Sequence, residues 1–299
     1  MKAQSLIDQL ELPVVAAPMF LISGPQLVIE CCKNGIVGTF PALNQRSSEG
    51  FEEWLIEIKS SLKQWEEETG KKAAPFGVNL IVHGSNPRLE ADLRLCVKHQ
   101  VPLIITSLGA VSEVVNAVHS YGGLVFHDVI KKRHAQKAAQ AGVDGLILVC
   151  AGAGGHAGTL NPMPFVREVK EFYDGAILLS GAMSSGQDVA SAMQMGADLA
   201  YMGTRFINTH ESKATDEYRE MIIQSGASDI VYTAAISGVH ANFLGLVYKL
   251  QVLLKNNLRQ LPKLILEKKW ILRQKPGKLF GVQDKDLQLL RILYQLVNL

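Results

Sequence analysis

Of the 299 residues only four are cysteine, Cys31, Cys32, Cys96 and Cys150, and no two are spaced Cys-x-x-Cys. That excludes a zinc ribbon and a disulfide framework; four buried, reduced, apolar residues are expected instead. Charge of one sign is also missing. Thirty basic residues face 28 acidic ones, a net charge of +2, so neither a polyanion-binding face nor a charged tail is indicated. The one basic concentration, residues 255–278, reads as a solvated helical face, and no nucleic-acid partner is expected. Long apolar runs are absent too: residues 243–254 are broken by Lys249, well short of the roughly 18 residues a spanning helix needs. Lys2 and the polar stretch behind it lack the apolar core of a signal peptide. These absences lead us to expect a soluble cytoplasmic protein with no membrane partner. No Gly-x-Ser-x-Gly elbow, His-x-x-x-His pair or strand-end carboxylate cluster is found, which argues against a serine hydrolase and against a metal site.

What is plentiful is apolar residues (47%) and glycine (26 residues). Short apolar runs recur at 14–17, 36–40, 76–82, 102–107, 123–127, 145–150, 176–180 and 199–203. They are continuous rather than alternating, as expected of strands buried on both faces. Amphipathic segments of helical length lie between and after them, at 25–34, 48–69, 87–99, 111–121, 133–141, 164–173, 186–195 and 212–225. Several of these end in a glycine, a common helix stop. Eight such strand–helix units in series predict an α/β fold, a (β/α)8 TIM barrel over residues 1–234. A doubly wound open sheet would stop sooner and carry its glycines after the first strand; here they follow strands six, seven and eight. Residues 235–299 break the rhythm. Helices are expected at 241–257 and 285–298, with a turn-rich linker at 274–278, as a helical C-terminal extension or lid.

Chemistry in such a barrel sits at the C-terminal ends of the strands. These ends carry Ala17-Pro18-Met19, Asn44, Asn79, Ser107, His127-Asp128, the loop Gly152 to Gly158 with His156, Ser180-Gly181-Ala182, and Gly203-Thr204-Arg205. The loops after the last two strands suit a phosphate, through bare backbone amides and the positive ends of helices starting near Gly186 and Ser212. His156, on a glycine loop rather than an apolar helix face, is the candidate catalytic residue. His127 is a candidate ligand contact. The loop also fits a loose G-x-G-x-x-A pattern, but Pro162 and Pro164 interrupt the helix a dinucleotide fold needs.

These strand-end motifs, in this order, resemble the nitronate monooxygenase family (formerly 2-nitropropane dioxygenases), flavin mononucleotide (FMN)-dependent TIM barrels. The carriers are Ala17-Pro18-Met19, Gly77 to Leu80, Ala141 to Gly145, Ala153 to Gly158, Ser180-Gly181-Ala182 and Met202 to Phe206. The resemblance implies FMN as cofactor, with Ala17, Pro18, Met19 and Asn79 facing the isoalloxazine ring. It implies Ser180, Gly181, Ala182, Gly203 and Thr204 at the phosphate, Gly154 and Gly155 close to the ring, and His156 as the active-site histidine. The implied activity is oxidation of a small nitronate or nitroalkane by O2 to a carbonyl compound and nitrite; a homodimer is compatible with it. Flavin-dependent enoyl-acyl-carrier-protein reductases using NAD(P)H share much of the pattern, and a flavin-binding barrel without turnover is the third reading. Three departures stand out: Ala182 where the family has glycine, His240 where relatives have proline, and residues 278–283 in place of the glycine-rich C-terminal segment.

Overall fold

The computed structural model describes residues 3–248 except 108, 110, 111 and 237. Among these the chain begins with α1 (Ala3–Ile7), β1 (Val14–Ala16), α2 (Pro25–Lys33), β2 (Val37–Pro41), α3 (Ser48–Thr69) and β3 (Gly77–Ile81). It continues through α4 (Leu89–Lys98), β4 (Leu103–Ser107), α5 (Ser112–His119), β5 (Leu124–Val129), α6 (Lys132–Gln140) and β6 (Gly145–Val149). A two-residue β7 (Gly155–His156) precedes α7 (Pro162–Lys170), β8 (Ala176–Ser180), α8 (Gly186–Met195), β9 (Leu199–Met202) and the short α9 (Thr204–Ile207).

The eight strands β1 to β6, β8 and β9 form a closed barrel. Every pairing is parallel, and β1 closes the ring against both β2 and β9. The expected TIM barrel is therefore present. The continuous apolar runs follow from its geometry, since each strand packs helices on one face and the lumen on the other. Alternate residues sort accordingly. Val15, Val37, Leu103, Ile105, Leu124, Phe126, Ile147, Leu178, Leu199 and Tyr201 fill the lumen. Val78, Leu80, Ile104, Val125, Val129, Leu146, Leu148, Ile177 and Leu179 pack under the helices. Local signals set the helix ends. Ser47 caps α3 by accepting the Gly50 N–H, and Gly70 ends it in the left-handed region.

Compact packing divides between Ala214 and Thr215. The second unit, taken by itself, holds α10 (Asp216–Gln224), β10 (Ile230–Thr233) and β11 (Ala241–Leu244). Two expectations are corrected there. The helix anticipated from residue 212 starts at Asp216, capped by the Thr215 hydroxyl, because the Ser212 hydroxyl is spent on the Ile207 carbonyl at 2.7 Å. The helix anticipated over 241–257 does not begin at 241: Ala241–Leu244 pairs antiparallel with β10, where Phe243 and Leu244 suit a pleated strand. The linker at 274–278, the helix at 285–298 and the basic face at 255–278 lie outside the described residues. Among the described residues no helix is long and apolar enough to cross a membrane, and no group of His, Cys, Asp and Glu is placed to hold a metal ion.

Candidate active site

The C-terminal rim is where loops far apart in sequence meet. After β1, the Ala17 amide bonds the Met202 carbonyl of β9 at 2.8 Å, and a Cβ on Gly203 would meet Met19 and Ala17 at 3.7–3.8 Å. After β6, a Cβ on Gly154 would lie 3.2 Å from the Thr204 hydroxyl, so this loop closes onto the start of α9. After β8, the Ala182 amide donates to the Gly152 carbonyl at 3.1 Å. Gly181 has φ +142°, and a Cβ there would sit 2.7 Å from the Ala151 carbonyl oxygen, so only glycine fits. Ala182, in the family's glycine position, is held at φ +52°, a conformation costly for an L-residue. The structure thus brings Ala17, Met19, Gly154, Ala182, Gly203 and Thr204 to one rim, with Pro18 and Gly181 in the same loops. Ser180 is the last residue of β8, in register with Tyr201. Gly155 and His156 form β7, and both are exposed.

The rim loops are braced from below. The Asn44 carboxamide donates to the carbonyls of Met19 (3.0 Å) and Ser23 (2.8 Å) and accepts the Leu21 N–H at 2.9 Å. It clamps the β1–α2 turn, in which Leu21 has φ +62°.

Beneath the rim the lumen turns polar. Asn79 is buried on the lumen face of β3, and its Nδ2 donates to the Ile105 carbonyl (3.2 Å) and to Ser107 Oγ (2.9 Å). Ser107 Oγ donates in turn to Asp128 Oδ2 at 2.5 Å. The other carboxyl oxygen, Asp128 Oδ1, is buried without a hydrogen-bond partner among the described residues. Burial raises the Asp128 pKa from 3.8 to about 6, with the Ser107 hydroxyl pulling it down in part. Tyr201, on the lumen face of β9, is held protonated by burial and by the nearby Asp128 charge.

His127, one of the expected set, does not face the lumen. Phe126 points into the lumen, so His127 points out, under the helices, where its Nδ1 bonds Thr106 Oγ at 2.8 Å. Burial, with a smaller push from His134, lowers its pKa to about 4, so the ring is neutral at pH 7. Asp128, the next residue, takes the lumen position. Asp128, Ser107 and Asn44, which the sequence places at strand ends without assigning them a role, carry the polar geometry of the site.

The phosphate-side helices also differ from expectation. The Asp188 carboxylate already takes the amides of Ser184 and Ser185 and, with Ser185, closes a capping box on α8. The helix after residue 212 begins later, with Asp216 and Glu217 in its first turn. The short α9, which opens at Thr204, has no side-chain cap. No thiol competes as a nucleophile: Cys31, Cys32 and Cys150 are pushed by burial up to about 12.

These features fit a flat nucleotide cofactor. The rim is built of backbone that a Cβ would crowd at Gly154 and Gly181, and beneath it Asp128 Oδ1 offers a buried acceptor with no partner among the described residues.

The family model described as nitronate monooxygenase matches residues 3–250. The (3aS,4S,5R,7aS)-5-hydroxy-7a-methyl-1-oxo-octahydro-1H-indene-4-carboxyl-CoA dehydrogenase of Rhodococcus jostii is 26% identical over 227 residues, covering 76% of this chain and 61% of that protein. The nitronate monooxygenase of Neurospora crassa is 26% identical over 242 residues, covering 70% of this chain and 63% of that protein. The chain thus spans about three fifths of the length of the curated relatives it matches. Among solved structures, FabK from Thermotoga maritima superposes with a TM-score of 0.72 at 24% identity, covering 86% of this chain and 79% of that one, a likeness of fold.

Proposed function

Because the chain belongs to the nitronate monooxygenase family, a family of flavin-dependent oxidoreductases, we propose that it binds FMN at the C-terminal rim of the barrel and oxidises small alkyl nitronates. The products are a carbonyl compound and nitrite, with O2 as co-substrate. The observation that carries this reading is the convergence of the loops after β1, β6, β8 and β9 on one rim. Bound there, the flavin supplies the electron-transfer chemistry.

The chain's own residues supply position and charge. Ala17, Pro18 and Met19 border the ring site from the β1 side, held by Asn44. Ser180, Gly181, Ala182, Gly203 and Thr204 offer hydroxyls and close-approach backbone to the phosphate. Because Asp188 already occupies the amides before α8, the phosphate would be held by the loops themselves. His156, exposed beside Gly154 and Gly155, is the residue that meets substrate. As a hydrogen-bond donor it stabilises the nitronate oxygens; with a neutral nitroalkane its imidazole takes the α-proton. His127 is left to a structural role by its outward position.

The test is oxygen uptake by the purified protein with propionate 3-nitronate or an alkyl nitronate and no pyridine nucleotide, with nitrite measured alongside. Uptake with stoichiometric nitrite supports the proposal. NAD(P)H oxidation dependent on an enoyl thioester, without nitronate turnover, would replace it with the reductase reading.

A further inference from the structure

Two acceptors stand open in the polar layer of the lumen. Asn79 sends its Nδ2 to the Ile105 carbonyl and to Ser107 Oγ, and no hydrogen bond within the described chain is made by its Oδ1. Asp128 receives the Ser107 hydroxyl on Oδ2 and leaves Oδ1 buried and unpartnered. The direction of this chain is fixed by chemistry. A carboxylate only accepts, so the Ser107 proton points at Asp128. The Ser107 oxygen is then left as an acceptor, and only the NH2 end of Asn79 can satisfy it. Removing the acceptor at 128 frees the hydroxyl to turn, and the NH2 end of Asn79 is then held by the Ile105 carbonyl alone.

We propose that Asp128 is a positioning residue which, through Ser107, holds the Asn79 carboxamide with its oxygen open to the cofactor. The proposal rests on the reading of the rim as an FMN site, and adds that this site has a floor set three strands deep, on β3, β4 and β5. Around Asp128 the neighbouring lumen faces present Ser107 from β4 and Ile147 and Val149 from β6, with Tyr201 of β9 the titratable group nearby. His127 lies on the opposite face of β5.

The experiment is titration of FMN-free protein with FMN, followed by quenching of flavin fluorescence and by the visible spectrum of the bound flavin. Four variants are compared with the wild type: Ser107→Ala, Ser107→Thr, Asp128→Leu and Asp128→Asn. Ser107→Ala and Asp128→Leu each break the chain and are expected to weaken binding about tenfold, the value of one oriented hydrogen bond to the ligand, and to shift the bound spectrum. Ser107→Thr keeps the hydroxyl and is expected to bind within about threefold of wild type; the amide introduced by Asp128→Asn can either accept from Ser107 or donate to it, so that variant is expected to fall between wild type and Asp128→Leu. A merely structural role would alter stability while leaving the affinity of the folded protein and the flavin spectrum unchanged. Wild-type affinity and spectrum in both Ser107→Ala and Asp128→Leu would overturn the proposal while leaving the FMN site intact. Should Asp128→Leu fail to fold, the Ser107 pair decides alone. Failure of the wild type itself to bind FMN would remove the reading of the rim, and this proposal with it.

Discussion

Asp128→Asn is the perturbation whose consequence can be worked furthest from the structure. Burial holds the Asp128 carboxyl at about 6, above its ordinary value of 3.8. A group raised on folding supports the fold while it is protonated in both states. That support is complete below about pH 4 and is lost as pH rises through about 6. The displacement corresponds to about 3 kcal/mol. His127 works the other way. Its folded value of about 4 lies below the ordinary 6.5, so its contribution is complete above about 6.5 and is lost as pH falls through 4, again by about 3 kcal/mol. Between pH 4 and pH 6.5 the two neighbours offset each other, and the cofactor-free wild type should show a flat stability profile from this pair. Asparagine at 128 keeps an acceptor for Ser107 and removes the charge. Its NH2 replaces Oδ1 as the unpartnered buried atom, which trims the gain to about 2 kcal/mol. Urea unfolding of the flavin-free protein at a series of pH values is the assay. The variant should be more stable by about 2 kcal/mol near pH 8, lose stability steeply as the pH falls from about 6.5, and lie about 1 kcal/mol below the wild type near pH 4. Equal stability of the two proteins across that range would refute the assignment of a buried, charge-penalised carboxyl to the lumen.

Three further outcomes follow from the same geometry. Gly181→Ala places a Cβ 2.7 Å from the Ala151 carbonyl at φ +142°; we expect a loss of about 2 kcal/mol or more in thermal or urea unfolding, together with loss of FMN retention on gel filtration. Asn44→Ala deletes the three bonds that hold the turn after β1 and should cost about 2 kcal/mol, with faster hydrogen exchange at Leu21. His156→Ala should lower kcat with a nitronate by about a hundredfold while FMN affinity stays within about threefold, because the residue faces substrate; full activity would remove the histidine from the mechanism.

The barrel was legible because its strands are short continuous apolar runs at regular spacing, and a strand buried on both faces has no other sequence signature. The same continuity hid the inner from the outer face. In Leu124-Val-Phe-His-Asp-Val129 nothing local says whether His127 or Asp128 enters the lumen. Ring closure and the register of β5 on β4 decide it, pairing His127 with Thr106 under the helices. The glycine loops were legible as backbone meant to approach something closely, and Gly181 carries that requirement in its φ. The helix ends were not. Asp188 folds back on Ser184 and Ser185 as a capping box, a signal carried by Ser185-x-x-Asp188. Ala241–Leu244 gives no helical or strand period over so few residues, and pairing with β10 settles its conformation.

The account stands on a flavin seated at the barrel rim. The absorbance spectrum of freshly purified protein, read again after denaturation and chromatography of the released chromophore, tests this most directly. The prediction is the two visible bands of an oxidised flavin, released quantitatively as FMN. A colourless protein that stays colourless after incubation with FMN would contradict it.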